Sequence, residues 1–109
     1  MVNVRVVVDK STLERKQRQL IVHSFIYYEL NDNIWTDSQY DVCALSIEEQ
    51  KNTKLWKQSK FYSIFKDWDS STGMSLIKGR SKEYVQYYTH FTNLAKELLH
   101  FTSSNNLDQ

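Results

Sequence analysis

Residues 20–47 read LIVHSFIYYELNDNIWTDSQYDVCALSI: an apolar run, a polar turn and a second amphipathic run in one stretch. From Leu20 onward apolar side chains fall on nearly every side of a 3.6-residue period, the pattern of a helix buried from several directions. Asn31, Asp32 and Asn33 stop that helix, because their short polar side chains bond the local backbone and tolerate turn conformations. Thr36 and Gln39 then form a capping-box pair, and Asp37 stands in the first turn, where the helix dipole favours negative charge. Behind them Tyr40, Cys43, Ala44 and Ile47 share one stripe. The stretch predicts two helices meeting at a short corner.

Working outward, Ser11 and Glu14 make another capping-box pattern, which predicts that the first helix starts there and runs to about Leu30. Its broad core face is expected to hold Leu13, Leu20, Ile21, Phe25, Tyr27 and Tyr28. Upstream, Val2, Val4, Val6 and Val8 alternate with other residues, the period of a strand with one buried face. Downstream, Glu48, Glu49, Lys51 and Asn52 return the chain to solvent, and the aromatic-rich segment 56–68 reads as a short helix on the core. Residues 69–73 read as a loop. Gly73 and Gly79 flank residues 74–78, which read as a second strand paired with the first. Ser81 is placed to cap the last helix, whose stripe is Tyr84, Tyr87, Tyr88, Phe91, Leu94, Ala95, Leu98 and Phe101. The expected fold is mainly α (α+β), three to four helices with a small two-stranded β element. Residues 1–101 form one domain and 102–109 a flexible C-terminal tail.

A chain of 109 residues has room for one modest core. With 40% hydrophobic and 14% aromatic residues, it reads as a folded protein and not a disordered one. Fourteen basic against thirteen acidic residues give a net charge of +1, so nucleic acid is not an expected partner of the surface as a whole. The local basic groups, Arg5, Lys10, Arg15, Lys16 and Arg18, or Lys54, Lys57, Lys60 and Lys66, read more simply as solvated faces above core stripes. The single Cys43 allows no intramolecular disulfide, and its place on a stripe makes it a small buried side chain. Residues 2–8 are too short for a membrane span, and a reducing, cytoplasmic location with no membrane partner is expected.

The common catalytic patterns are missing. One cysteine and the scattered His23, His90 and His100 supply no zinc-ligand spacing, and two glycines cannot build a phosphate-cradling loop. The chain is therefore expected not to be an enzyme: it has no catalytic residues, no metal and no required cofactor. The corner is where binding chemistry could reside. Asp37 and Asp41 lie one helical turn apart on one flank with Tyr40 beside them, and Tyr27 and Tyr28 end the preceding helix. Aromatic faces and carboxylates together suit a flat, positively charged ring. The plainer assignment of the same residues makes the tyrosines core, Asp37 a dipole partner and Asp41 solvated surface.

The spacing resembles a known pattern. Tyr27, Tyr28, Asp37, Tyr40 and Asp41 fall without a gap on Y-[HY]-x-x-x-x-x-x-x-x-D-x-x-Y-D, a pattern carried by domain Ia, the small helical N-terminal module of bacterial NAD-dependent DNA ligases. The likeness covers residues 20–47, about a quarter of the chain. It implies that these five residues recognise the nicotinamide mononucleotide half of NAD, aromatic rings against the nicotinamide and carboxylates on its polar groups. Tyr28 stands where several ligases have His, and Thr36 replaces a usual proline. No K-x-D-G motif is present, Lys78-Gly79-Arg80 not being one, so the lysine that takes AMP in those ligases is missing.

Two functions are left open by these residues. One is a non-catalytic small binding protein with NAD or nicotinamide mononucleotide as its ligand. The other is a protein-interaction module that uses the corner only as scaffold, of the kind by which phages and mobile elements inhibit host enzymes, defence nucleases included. For a protein partner, the expected anchors are Trp56, Phe61, Tyr62, Phe65 and Trp68, more aromatics than one short helix buries on one face.

Overall fold

In a computed structural model, residues 9–70, 74–77 and 82–107 are described, and they are helical or in turns, with no strand among them. Six helices follow in order: α1 (Lys10–Tyr28), α2 (Asp37–Glu48), α3 (Lys54–Gln58), α4 (Tyr62–Phe65), α5 (Met74–Ile77) and α6 (Lys82–Leu107). The central element is α1. Helices α6, α2, α5 and α3 all pack against it.

Its sequence explains that position. Every residue from Leu20 to Ile26 is buried, including His23 and Ser24, so the half of α1 with apolar residues all round is surrounded as expected. From other elements, Ile47, Phe61, Phe65, Leu76 and Phe91 complete the core, each essentially inaccessible to solvent. Full burial of such side chains contributes roughly 1.5–3 kcal/mol each before chain entropy is counted.

The start of α1 differs from expectation. Asp9, not Ser11, is the N-cap: its Oδ1 accepts from the Thr12 backbone N–H at 2.7 Å and from the Ser11 hydroxyl at 3.0 Å. An ionised carboxylate at a helix N-terminus meets the dipole with a full charge, where serine offers only a hydroxyl. Those hydrogen bonds hold the Asp9 carboxyl below its ordinary range. Glu14 is left to another task. Its Oε2 accepts from the Lys60 N–H at 2.8 Å and ties α1 to the turn between α3 and α4. Nearby, Gln17 Oε1 accepts from the Ser59 hydroxyl, whose oxygen accepts in turn from the Phe61 N–H at 3.0 Å.

Three further expectations are corrected. The strand over 2–8 and the Ser81 cap lie outside the described residues, but residues 74–77, expected as the partner strand, are helical. Adjacent Leu76 and Ile77 are both buried, which one helical turn against α1 permits; a strand would point them to opposite faces. The tail expected from residue 102 is helical as far as Leu107. Finally, the aromatic segment folds as two short helices and not one. Each presents its own face to the core, so Trp56, Phe61, Phe65 and Trp68 are all buried and Tyr62 is half-buried against them. Trp56 and Phe65 meet edge to face, as do Phe65 and Trp68. The surplus of rings that pointed to an interface is absorbed by the core.

Candidate functional site

The corner forms as its local chemistry dictates. At the end of α1 the Glu29 N–H reaches Phe25 O at 2.8 Å, and Asn31 takes a left-handed backbone (φ 55°), which asparagine tolerates better than most residues. Asp32 Oδ1 then accepts from the Asn33 N–H at 2.7 Å and rigidifies the turn. Across it, α2 opens with the expected capping box. Thr36 Oγ1 accepts from the Gln39 N–H at 3.1 Å, and Gln39 Oε1 accepts from the Thr36 N–H at 2.8 Å.

Between the end of α1 and the start of α2 lies a cavity of about 310 Å³. All five residues of the spacing pattern, Tyr27, Tyr28, Asp37, Tyr40 and Asp41, line it. The turn adds Asn33, Ile34, Trp35 and Thr36, and α1 adds His23. Tyr27 and Tyr28 were expected on the core face of α1, yet they are 55% and 37% exposed. The core-facing run ends at Ile26, and the final turn of α1 overhangs the cavity instead. Their rings meet edge to face with centroids 4.8 Å apart.

The remaining side chains are fixed from behind. Tyr40 is half-buried, and its hydroxyl shares a 2.8 Å hydrogen bond with that of buried Ser24 on α1. Burial, more than any other influence, raises the Tyr40 hydroxyl above its ordinary pKa, so it stays protonated near neutral pH. His23 stacks on Trp35 with centroids 3.7 Å apart and planes within 10°. Only 8% of His23 is exposed, its Nδ1 is buried without a hydrogen-bond partner, and burial pushes its pKa down to about 4. The imidazole is therefore neutral near pH 7. Asp37 and Asp41 are both exposed on the rim.

Sequence reasoning missed His23 and left the burial of Trp35 undecided. A signal for His23 existed: it precedes Tyr27 by four residues, hence one turn away on the same face. Nothing local signals the stack with Trp35, because it joins residues across the corner. His90 and His100 are exposed on α6, as their surface reading requires. Among the described residues no cluster of three or more His, Cys, Asp or Glu is arranged to hold a metal, and no helix is long and apolar enough to cross a membrane. A second, shallower hollow is also lined by Trp35, with Lys16, Val42 and Cys43 contributing to its lining. Cys43 is buried there, its thiol pushed up to about 11 by desolvation and 3.6 Å from Lys16 O.

No family model, curated protein or solved structure matches the chain.

Proposed function

We propose that the chain is a non-catalytic binding module whose helical corner holds the nicotinamide mononucleotide half of NAD. The observation that carries this reading is the convergence of Tyr27, Tyr28, Asp37, Tyr40 and Asp41 on one cavity. Five residues spread over fifteen positions and two helices need not share a concavity. Here they do, Tyr27 and Tyr28 from the end of α1 and Asp37, Tyr40 and Asp41 from the start of α2. At about 310 Å³ the cavity is at the small end of the roughly 300–1,000 Å³ typical of ligand pockets, which suits half of a dinucleotide and not the whole. The resemblance to ligase domain Ia supports the same ligand, and the missing K-x-D-G lysine argues against AMP transfer.

The test is titration of the full chain with nicotinamide mononucleotide and with NAD, repeated on Asp41→Ala. Asp41 is exposed, so its removal should change stability by no more than about 0.5 kcal/mol while binding is lost. Unchanged affinity in a folded Asp41→Ala variant would remove the ligand reading.

The protein-interaction reading retains one specific support, though from other residues than expected. Val42 and Leu45 on α2, and Val85 and Phe101 on α6, are exposed apolar side chains, whereas the tryptophans are not exposed. A chain that binds no nucleotide but associates through these positions would favour it.

A further inference from the structure

We propose that the flank of α2 carrying Ser38, Val42 and Leu45, with the neighbouring edge of α1, docks an acidic segment of a protein partner through an apolar anchor side chain. This goes beyond the nucleotide reading, which concerns Asp37, Tyr40 and Asp41 on another flank of the same helix. Ser38, Val42 and Leu45 follow one another at four and then three residues, so they share one side of α2. Val42 and Leu45 are 53% and 47% exposed, and an exposed valine adds little to a helix by itself. Single exposed apolar residues are ordinary, but Val42 lines the second hollow together with Trp35 and Cys43, and Leu45 extends that surface by one turn. Trp35 is only half-buried, and tryptophan is enriched among the residues that dominate interface energetics. At about 370 Å³ the hollow matches the corner cavity in size but is shallower. That form receives an anchor from a larger partner and does not enclose a small molecule.

Charge commits the occupant. Lys16 lines the hollow and Arg15 precedes it on α1. Both lie close enough to Cys43 to pull its thiol pKa down, although burial outweighs them. Among the described residues neither cation forms an ion pair. The acidic residues of this part of α1 are engaged elsewhere: Asp9 caps the helix, and Glu14 accepts from the Lys60 N–H. An apolar floor beside two such cations is complementary to a carboxylate-bearing segment with one apolar anchor. A nucleic acid would bring a run of phosphates, for which two cations around exposed aliphatic side chains are a poor match, and the flank ends at the exposed carboxylate of Glu49.

The experiment is selection of a displayed random-sequence peptide library on the full chain, followed by titration of the most enriched peptide by fluorescence anisotropy. Enriched sequences should combine an aromatic or aliphatic residue with an excess of Asp and Glu, and their affinity should fall as salt is raised. Arg15→Glu with Lys16→Glu, and separately Leu45→Glu, should each weaken the peptide at least about tenfold, with far-ultraviolet circular dichroism unchanged. Because Lys16 is half-buried, Arg15→Glu alone serves as a second charge variant at a fully exposed position. Backbone amide shifts on adding the peptide should centre on Trp35, Ser38, Val42 and Leu45. No enrichment, enrichment without acidic residues, or shifts centred on another face would overturn the proposal. So would tight binding of a DNA duplex that the same charge reversals abolish, or self-association of the chain that Leu45→Glu abolishes. The nucleotide reading is tested apart: titration of nicotinamide mononucleotide into the same variants should match the natural chain. Failure of peptide binding with the nucleotide still bound sinks this proposal alone, and failure of the nucleotide alone sinks only the nucleotide reading.

Discussion

Acidification to about pH 5 should destabilise this protein through one residue. His23 is buried against Trp35, and its pKa falls from the ordinary 6.5 to about 4 because burial disfavours the charged imidazolium. Below pH 6.5 the unfolded chain takes up a proton at His23 that the folded chain refuses until about pH 4. Stability from this residue is thus fully present above pH 6.5 and is lost progressively as pH falls toward 4. Linkage gives up to about 1.4 kcal/mol per pH unit in that window, and so a loss of about 2 kcal/mol between pH 7 and pH 5. Asp9 and Glu48, whose carboxyls are lowered by hydrogen bonds, lose their contributions only at more acid pH. The assay is urea unfolding followed by tryptophan fluorescence at pH 7, 6 and 5, on the natural chain and on His23→Phe. Phenylalanine keeps a flat ring against Trp35 but cannot titrate. The variant should show a much shallower fall between pH 7 and pH 5. An equal fall in both proteins would refute the reasoning, since it would mean that native His23 accepts a proton as freely as an unfolded one.

Other expectations follow from packing and capping. Thr36→Ala removes half of the α2 capping box and should lower stability by about 1 kcal/mol in chemical denaturation, with Thr36→Ser restoring most of it. Trp56→Ala and Phe61→Ala should each cost about 3–5 kcal/mol, and the pair should abolish cooperative thermal unfolding, because both rings are core. Cys43 should resist alkylation at pH 8 in the native state and react readily in denaturant, as followed by mass spectrometry, because its thiol is buried and pushed up to about 11.

The corner was legible because its determinants are local. A capping box needs four consecutive residues, and a turn of Asn and Asp needs three, so Thr36, Gln39 and Asn31 act as their sequence predicts. The start of α1 was misread because two capping residues compete within three positions, and the full charge of Asp9 outweighs the hydroxyl of Ser11. Residues 74–77 carried no decisive period: the five residues between Gly73 and Gly79 fit a strand or a helical turn. The docking of Leu76 and Ile77 on α1, which is not local, decides for the helix. The aromatic segment failed differently. Five rings exceed one helical face, but the break at Ser59 divides them between two helices, and that break is held by Gln17 from α1.

The same distinction bears on the site. A core assembled for stability alone would place an apolar ring at position 23, because a buried polar atom without a partner costs roughly 1–3 kcal/mol. Gln17 also has an unpartnered buried Nε2, yet its Oε1 is bonded to Ser59, and it clips α1 to the α3–α4 turn. His23 Nδ1 makes no such structural bond. Its ring stacks on Trp35, and both residues line the cavity that Tyr27, Tyr28, Asp37, Tyr40 and Asp41 share. The cost of an unfilled polar atom therefore falls on a residue that lines the same cavity as Tyr27, Tyr28, Asp37, Tyr40 and Asp41.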